Sequence, residues 1–320
     1  MRVKAHGGPE VLTWEEVEVP EPEPGEVRVR HTAVGLNFVE TYLRSGTYPL
    51  PVPGGLGTEA AGVVEKLGEG VTEVSVGDRV AYAGGPPGAY SEARCLPARV
   101  LVKLPAGLPD AVAAAAMLKG MTAEYLLRRT YPVKPGDTLL FHAAAGGVGL
   151  IACQWAKHLG AHVIGTVGSK AKAGLAREHG CEHVVVTSEE DFVARVKELT
   201  QGRGLPVVYD SVGKDTFLKS LDCLRPRGLM VSFGQSSGPV PPFDVAQLSA
   251  KGSLYLTRPS LHVYTAARDE LVECARALFE VIATGAVKVE VRQTFPLREA
   301  ARAHRELEGR RTTGSSVLLP

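Results

Sequence analysis

Thr138-Leu139-Leu140-Phe141-His142-Ala143-Ala144-Ala145-Gly146-Gly147-Val148-Gly149 decides the fold. The first five residues form a short apolar run ending at small residues, the pattern of a buried parallel strand. Ile151, Trp155 and Leu159 then recur at helical spacing, and Gly160 closes the helix. Residues 161–167 are a second apolar run. Strand, glycine turn, helix and strand make the first βαβ half of a dinucleotide fold, with a pyrophosphate expected over the helix N-terminus. Gly146 and Gly149 keep the spacing of the last two glycines of G-x-G-x-x-G, and Ala144 stands at the place of the first. A glycine motif alone is weak, but its place between a strand and a helix makes it specific.

The residues beyond the turn choose the dinucleotide. An NAD site holds an acid about 20 residues past the turn, on the ribose 2′-hydroxyl. Here no acid occurs between Gly149 and Glu178, and the second strand runs into Gly168-Ser169-Lys170-Ala171-Lys172. A hydroxyl and two ammonium groups attract a 2′-phosphate that a carboxylate would repel, so the cofactor is expected to be NADPH.

Further apolar runs at 184–187, 207–210, 229–233 and 254–257 alternate with helical patterns at 191–199 and 216–224. That is an α/β, doubly wound sheet. Before it, the first hundred residues are β-rich. Glu26-Val27-Arg28-Val29-Arg30-His31 alternates polar and apolar, and strands are expected at 60–67, 78–82 and 89–95 between glycines. Short strands at this spacing predict a twisted, barrel-like antiparallel domain. A short helix is expected over 37–44, followed by the proline-rich loop 48–55, either a substrate-site rim or a plain surface loop. Helices are expected at 111–117, capped by Asp110, and at 121–128. The C-terminal part reads as helices at 269–284 and 297–308 and a strand at 316–319, which returns to finish the first domain. The expected division is 1–119 with 264–320, and 120–263.

A chain of 320 residues accommodates two domains, and a formal net charge of +1 argues against a generalised nucleic-acid or membrane surface. The N-terminus has no secretory pattern and no run reaches membrane-spanning length, so a cytoplasmic protein is expected. Five cysteines lie singly, with no C-x-x-C pair. His179-Gly180-Cys181-Glu182-His183 is read as a surface loop rather than a metal site, because it lacks a partner ligand elsewhere. No metal is expected.

Gly35-Leu36-Asn37-Phe38, Gly57-Thr58-Glu59-Ala60-Ala61-Gly62, Gly77-Asp78-Arg79-Val80, the 143–149 turn, Tyr209-Asp210-Ser211-Val212-Gly213, Phe233-Gly234-Gln235-Ser236-Ser237 and Thr257-Arg258-Pro259-Ser260 together resemble the medium-chain dehydrogenase/reductase superfamily. Within it the chain is similar to the zinc-free quinone oxidoreductases, the zeta-crystallin-like group, and most to its bacterial NADPH:quinone members. The resemblance spans essentially the whole chain. It implies a Rossmann domain plus a β-rich GroES-like catalytic domain, with hydride transfer in an interdomain cleft. Zinc-dependent members carry a Cys near Asn37 and a His where Thr58 stands, and without such ligands Zn²⁺ has no inner shell.

The resemblance implies Asn37, Tyr42, Tyr48 and Arg258 around the nicotinamide and acceptor. Either tyrosine would hydrogen-bond a developing oxyanion or stack on a flat ring, and Arg258 would offset negative charge. Along NADPH it implies Tyr125, the turn Gly146, Gly147, Val148 and Gly149, then Gly168, Ser169 and Lys172, then Val212, Phe233, Gly234 and Ser236, and finally Pro259, Ser260, Leu261 and Arg310. Thr187 replaces a tyrosine found near the phosphate in bacterial relatives, which weakens discrimination against NADH. The acceptor is expected to be a quinone, with an activated enal or enone C=C bond as the alternative. A crystallin-like or RNA-binding role is a third reading, disfavoured by the charge. The apolar edge at 254–257 is expected to pair in a homodimer.

Overall fold

In a computed structural model covering residues 1–320, the chain forms two compact units. The first comprises Met1–Met121, Thr265–Phe279 and Val289–Pro320, and the second Thr122–Tyr264 and Glu280–Lys288.

The first unit is built on β1 (Glu26–Leu36), α1 (Phe38–Ser45), β2 (Glu59–Leu67), β3 (Arg79–Ala83), β4 (Ala93–Pro97), β5 (Val102–Lys103) and α2 (Asp110–Tyr125). Alternation organises β1. Val27 and Val29 are fully buried, while Arg28 and Arg30 turn outward to Glu65. β1 pairs antiparallel with both β2 and β4. Val27, Val29, Val64, Val80, Leu96 and Leu101 share one core.

The second unit holds β6 (Thr138–Phe141), α3 (Gly147–His158), β7 (His162–Val167), α4 (Ala173–Glu178), β8 (Cys181–Val186), α5 (Phe192–Leu199), β9 (Leu205–Asp210), α6 (Phe217–Leu221), β10 (Leu224–Ser232) and β11 (Tyr255–Thr257). Its six strands lie in the order β8-β7-β6-β9-β10-β11, all parallel. Every residue of β9 is buried, the signature of a strand covered on both faces. The chain then forms α7 (Arg268–Ala283), β12 (Val291–Pro296), α8 (Ala300–Glu308) and β13 (Ser315–Leu319). β13 returns to the first sheet beside β1, with Val317 opposite Gly35. No helix is long and apolar enough to cross a membrane.

Several local expectations are corrected. The two helices expected at 111–117 and 121–128 are one, α2, continued by a wide turn at Leu126–Thr130. Gly120 is not a break. A Cβ there would stand 2.3 Å from Leu278 Cδ1, so glycine serves close helix packing. The 179–183 run is not a surface loop: β8 begins at Cys181, which is buried and in hydrogen-bond contact with the Cys153 thiol. Glu182 turns outward and pairs with His162 Nδ1 at 2.6 Å. The strand expected at 89–95 starts at Ala93, because Ala89 and Tyr90 turn into the core. Leu254 belongs to the core of the second unit, and only Tyr255 and Leu256 of that edge are exposed. The helix expected over 216–224 stops at Leu221, and the chain enters β10 at Leu224.

One buried network ties α1 to α8. Arg44 donates to both carboxylate oxygens of Glu308 at 2.6 and 3.0 Å and to His304 Nδ1 at 2.9 Å. A guanidinium only donates, so His304 carries its proton on Nε2 and gives it to Tyr90 Oη at 3.0 Å. Burial, aided by Arg44, lowers the His304 pKa to about 3, and burial lowers that of His31 to about 4. Both values lie below the unfolded value, so the unfolded chain binds more protons below pH about 6.5. The stability these neutral imidazoles contribute is complete above that pH and is lost as pH falls toward 4 and then 3. The melting temperature is therefore expected to drop steeply across this window. His304→Gln can accept from Arg44 and donate to Tyr90, so it should flatten the drop. An unchanged acid limb in that variant would remove His304 from the account.

Candidate active site

The turn after β6 closes on Ala143, whose φ of +53° is left-handed. Its carbonyl accepts from Gly146 N–H at 2.9 Å, and Ala144 N–H donates to Thr166 at 2.9 Å. Gly146 then caps α3 with no side-chain hydrogen bond. The first N–H groups of a twelve-residue helix thus lack a side-chain acceptor, the arrangement that receives an anion. Gly168 is exposed, with nothing within 4 Å of where a Cβ would stand. Ser169 precedes a short 3-10 turn, Lys170–Lys172, in which Lys170 is exposed and Lys172 half-buried. Thr187 is exposed just beyond β8 and its N–H bonds Val167.

The loops after β9 and β10 hold Val212, Phe233, Gly234 and Ser236. Asp210, at the end of β9, is fully buried. Its Oδ1 accepts from the N–H groups of Val212 and Gly213 at 2.8 and 3.1 Å, and Thr216 Oγ1 donates to Oδ2 at 2.7 Å. Ser220 donates to the same oxygen at 3.1 Å, so Ser220 Oγ must accept from His142 Nε2–H at 2.9 Å. His142 Nδ1 then accepts from Thr166 at 2.9 Å. Burial keeps His142 neutral, its pKa lowered. A chain of oriented bonds thus runs from the strand before the glycine turn to the loop of Val212.

Arg258 spans the following loop. Its Nη1 donates to the carbonyls of Ser232 and Gly234 at 3.1 and 2.9 Å, and Nη2 to Gln235 Oε1 at 3.2 Å. Phe233, Gly234 and Ser236 therefore sit on a backbone that Arg258 fastens. Pro259, Ser260 and Leu261 follow it directly, with Pro259 and Leu261 half-buried and Ser260 exposed. Tyr125 is buried and stacks on Tyr264, with ring centroids 4.5 Å apart. Arg310 follows α8 in the first unit and is exposed.

In the first unit Asn37 and Tyr42 lie at and on α1, and Tyr48 packs against Tyr42. Asn37 caps α1, and the Tyr42 and Tyr48 rings meet edge to face at 5.1 Å. Around Asn37 lies a polar cluster that the sequence reading did not single out. Asn37 N–H donates to Glu40 Oε2 at 2.6 Å, and Asn37 Nδ2 to Glu59 Oε2 at 2.8 Å. Lys119 Nζ lies 3.2 Å from that same Glu59 oxygen. Thr58 Oγ1 bonds Glu40 Oε1 at 2.6 Å. Asn37 Oδ1 is buried without a hydrogen-bond partner. The sequence marked Asn37 and Thr58 separately, but nothing local to either brings Glu40, Glu59 and Lys119 into one cluster with them.

Two family models match the chain: one described as alcohol dehydrogenase GroES-like domain over residues 23–106, and one as zinc-binding dehydrogenase over 147–278. The name of the second raises the question of zinc. The residues of the cluster do not fit it: a carboxamide, a hydroxyl and two acids surround an ammonium group, with neither thiolate nor imidazole among them. No group of three or more His, Cys, Asp or Glu in the structure is placed to hold a metal ion.

A GroES-like β unit joined to a parallel-sheet dinucleotide unit defines a medium-chain dehydrogenase/reductase. The chain is 58% identical to a quinone oxidoreductase of Pseudomonas aeruginosa, over 99% of this chain and 98% of that one. It superposes on the crystal structure of Escherichia coli quinone oxidoreductase complexed with NADPH with a TM-score of 0.98, at 53% identity, over 100% and 99% of the two chains. A 2-haloacrylate reductase of a Burkholderia species is 52% identical over 98% of this chain and 96% of its own. The chain belongs to the quinone oxidoreductase family.

Proposed function

We propose that this protein is an NADPH-dependent oxidoreductase that reduces quinones without a metal. The observation that carries the reading is the full-length match to a quinone oxidoreductase complexed with NADPH. The residues fit that cofactor: an anion-ready helix start at Gly146–Gly149, and Ser169, Lys170 and Lys172 with no acid before Glu178. NADPH, when bound, supplies the hydride. Gly146, Gly147, Val148 and Gly149 receive the pyrophosphate, and Gly168, Ser169, Lys172 and Arg310 the adenosine phosphate end. Tyr125, Val212, Phe233, Gly234, Ser236, Pro259, Ser260 and Leu261 hold the remainder, with Asp210 and Arg258 fixing the backbone of their loops.

Asn37, Tyr42 and Tyr48 orient the acceptor and support charge on its oxygen. A quinone is already electrophilic and needs orientation and exclusion of water more than Lewis-acid activation. The family match to a 2-haloacrylate reductase supports a second reading, reduction of an activated C=C bond at the same site. We further propose a cytoplasmic protein with residues 1–119 and 264–320 as its catalytic domain and 120–263 as its NADPH domain. It is proposed to be a homodimer that pairs at exposed Tyr255 and Leu256. A monomer by light scattering at micromolar concentration would count against the dimer.

The test is oxidation of NADPH and of NADH against an ortho-quinone, a para-quinone and an unsaturated aldehyde. Quinone turnover with NADPH favoured is the expected result. Turnover of the aldehyde alone would move the function to alkene reduction, and equal efficiency with both cofactors would remove the basic phosphate site from the argument.

A further inference from the structure

Hydride transfer to a quinone leaves a hydroquinone anion, and the reaction is complete only when a proton reaches its oxygen. We propose that Glu40 supplies this proton through the hydroxyl of Thr58. The proposal rests on the quinone-reductase reading above.

Glu40 and Glu59 are two fully buried acids in one cluster, with a single ammonium group, Lys119, among them. Two carboxylates beside one cation favour a state in which one acid keeps its proton. The hydrogen bonds say which. Glu59 accepts three bonds, from Asn37 Nδ2, from Leu118 N–H at 2.6 Å and from Lys119, and donates none, the pattern of a carboxylate. Glu40 has no cation on its oxygens. They meet Asn37 N–H, Thr58 N–H and the Thr58 hydroxyl. A hydroxyl reverses its direction freely, so a protonated Glu40 donates to Thr58 Oγ1 and releases the Thr58 proton outward. The groups acting on Glu40 are Thr58, Asn37, Glu59, Lys119 and Tyr90. Burial dominates among these influences and lifts the Glu40 pKa to about 7, where an acid is half protonated at neutral pH.

Two further observations give the relay an outlet and a recipient. Asn37, Glu40, Glu59 and Lys119 are all buried, and Thr58 alone of the cluster is partly exposed. Asn37 Oδ1, whose amide is pinned by Glu59, is a buried acceptor still lacking a donor, which a hydroxyl or N–H of a bound molecule would supply. The step balances. Two electrons arrive with the hydride and reduce the quinone. The Thr58 O–H bond breaks as the O–H bond of the hydroquinone forms, and Glu40 returns a proton to Thr58. Once the product has left, a solvent proton restores Glu40 by the reverse path through the partly exposed Thr58 hydroxyl.

The experiment compares Glu40→Gln, Thr58→Val and Thr58→Ser in the full chain, each first shown to be folded by its melting curve and by NADPH titration. With quinones whose hydroquinones are weak acids, Glu40→Gln and Thr58→Val are expected to lower kcat/KM by roughly 10²- to 10⁴-fold. Thr58→Ser recovers most of what Thr58→Val loses. The losses shrink for electron-poor quinones, whose reduced forms need no acid. The wild-type rate falls as pH rises through about 7, and Glu40→Gln lacks that limb. Independently of turnover, infrared spectroscopy should show a buried carboxylic acid band that titrates in the same range and is absent in Glu40→Gln. A Thr58→Val enzyme with wild-type rates, or a missing band, overturns the relay. Absence of quinone turnover in the wild type instead overturns the reading on which it stands.

Discussion

Asp210→Ala is expected to lower stability by about 3–5 kcal/mol, because it strands four buried neutral donors at once. The carboxylate is fully buried and accepts from two backbone N–H groups and two hydroxyls. Alanine would leave Val212 and Gly213 N–H, Thr216 and Ser220 without their acceptor, and each buried donor left unmade costs about 1–3 kcal/mol. Part of the sum is recovered when water enters or hydroxyls turn to other acceptors. The loop of Val212 and Gly213 would lose its anchor, so NADPH affinity should fall along with stability. A truncated ligand separates the two effects. Adenosine 2′,5′-bisphosphate occupies only the phosphate end, and its affinity should change far less than that of NADPH. Urea unfolding and the two titrations decide the matter, and an Asp210→Ala protein as stable as the wild type would refute the assignment.

Gly149→Ala should be the most damaging single-methyl substitution in the glycine turn. The new Cβ would stand 2.4 Å from Ala143 O and 2.7 Å from Ala144 Cα, all backbone atoms. Neither can yield easily, because Ala143 O holds Gly146 N–H and Ala144 N–H holds Thr166. The start of α3 must move off the strand, at about 1–3 kcal/mol for such overpacking. The same movement displaces the N–H groups proposed to receive the pyrophosphate, so a loss of NADPH affinity of about tenfold or more is expected for a displacement of order 1.4 kcal/mol. Gly174→Ala is the control. Its Cβ meets nothing within 4 Å and it lies in α4, so alanine should raise stability slightly. Equal behaviour of the two variants by melting curve and NADPH titration would show that the close approach at Gly149 carries no weight.

The local framework of the proposed site is legible in the sequence alone. The strand at 138–141, the turn and α3 follow from local period and residue size, and the proposal of a 2′-phosphate site rests on the charges at 169–172. One helix boundary was misread for a local reason. The gap between the helices expected at 111–117 and 121–128 contains Gly120, and α2 runs through it because Leu278 packs against that position.

The sequence by itself determined the two kinds of unit and the strand, glycine turn and helix of 138–158, because steric fit in a turn and hydrophobic period act between near neighbours. Only the tertiary structure decided which acids are buried and what answers them. Glu59 meets Asn37 across 22 residues and Lys119 across 60, and His142 meets Ser220 across 78. Removing an acid from water is tolerable only where donors from distant segments converge on it, and that convergence exists only once the sheets have formed.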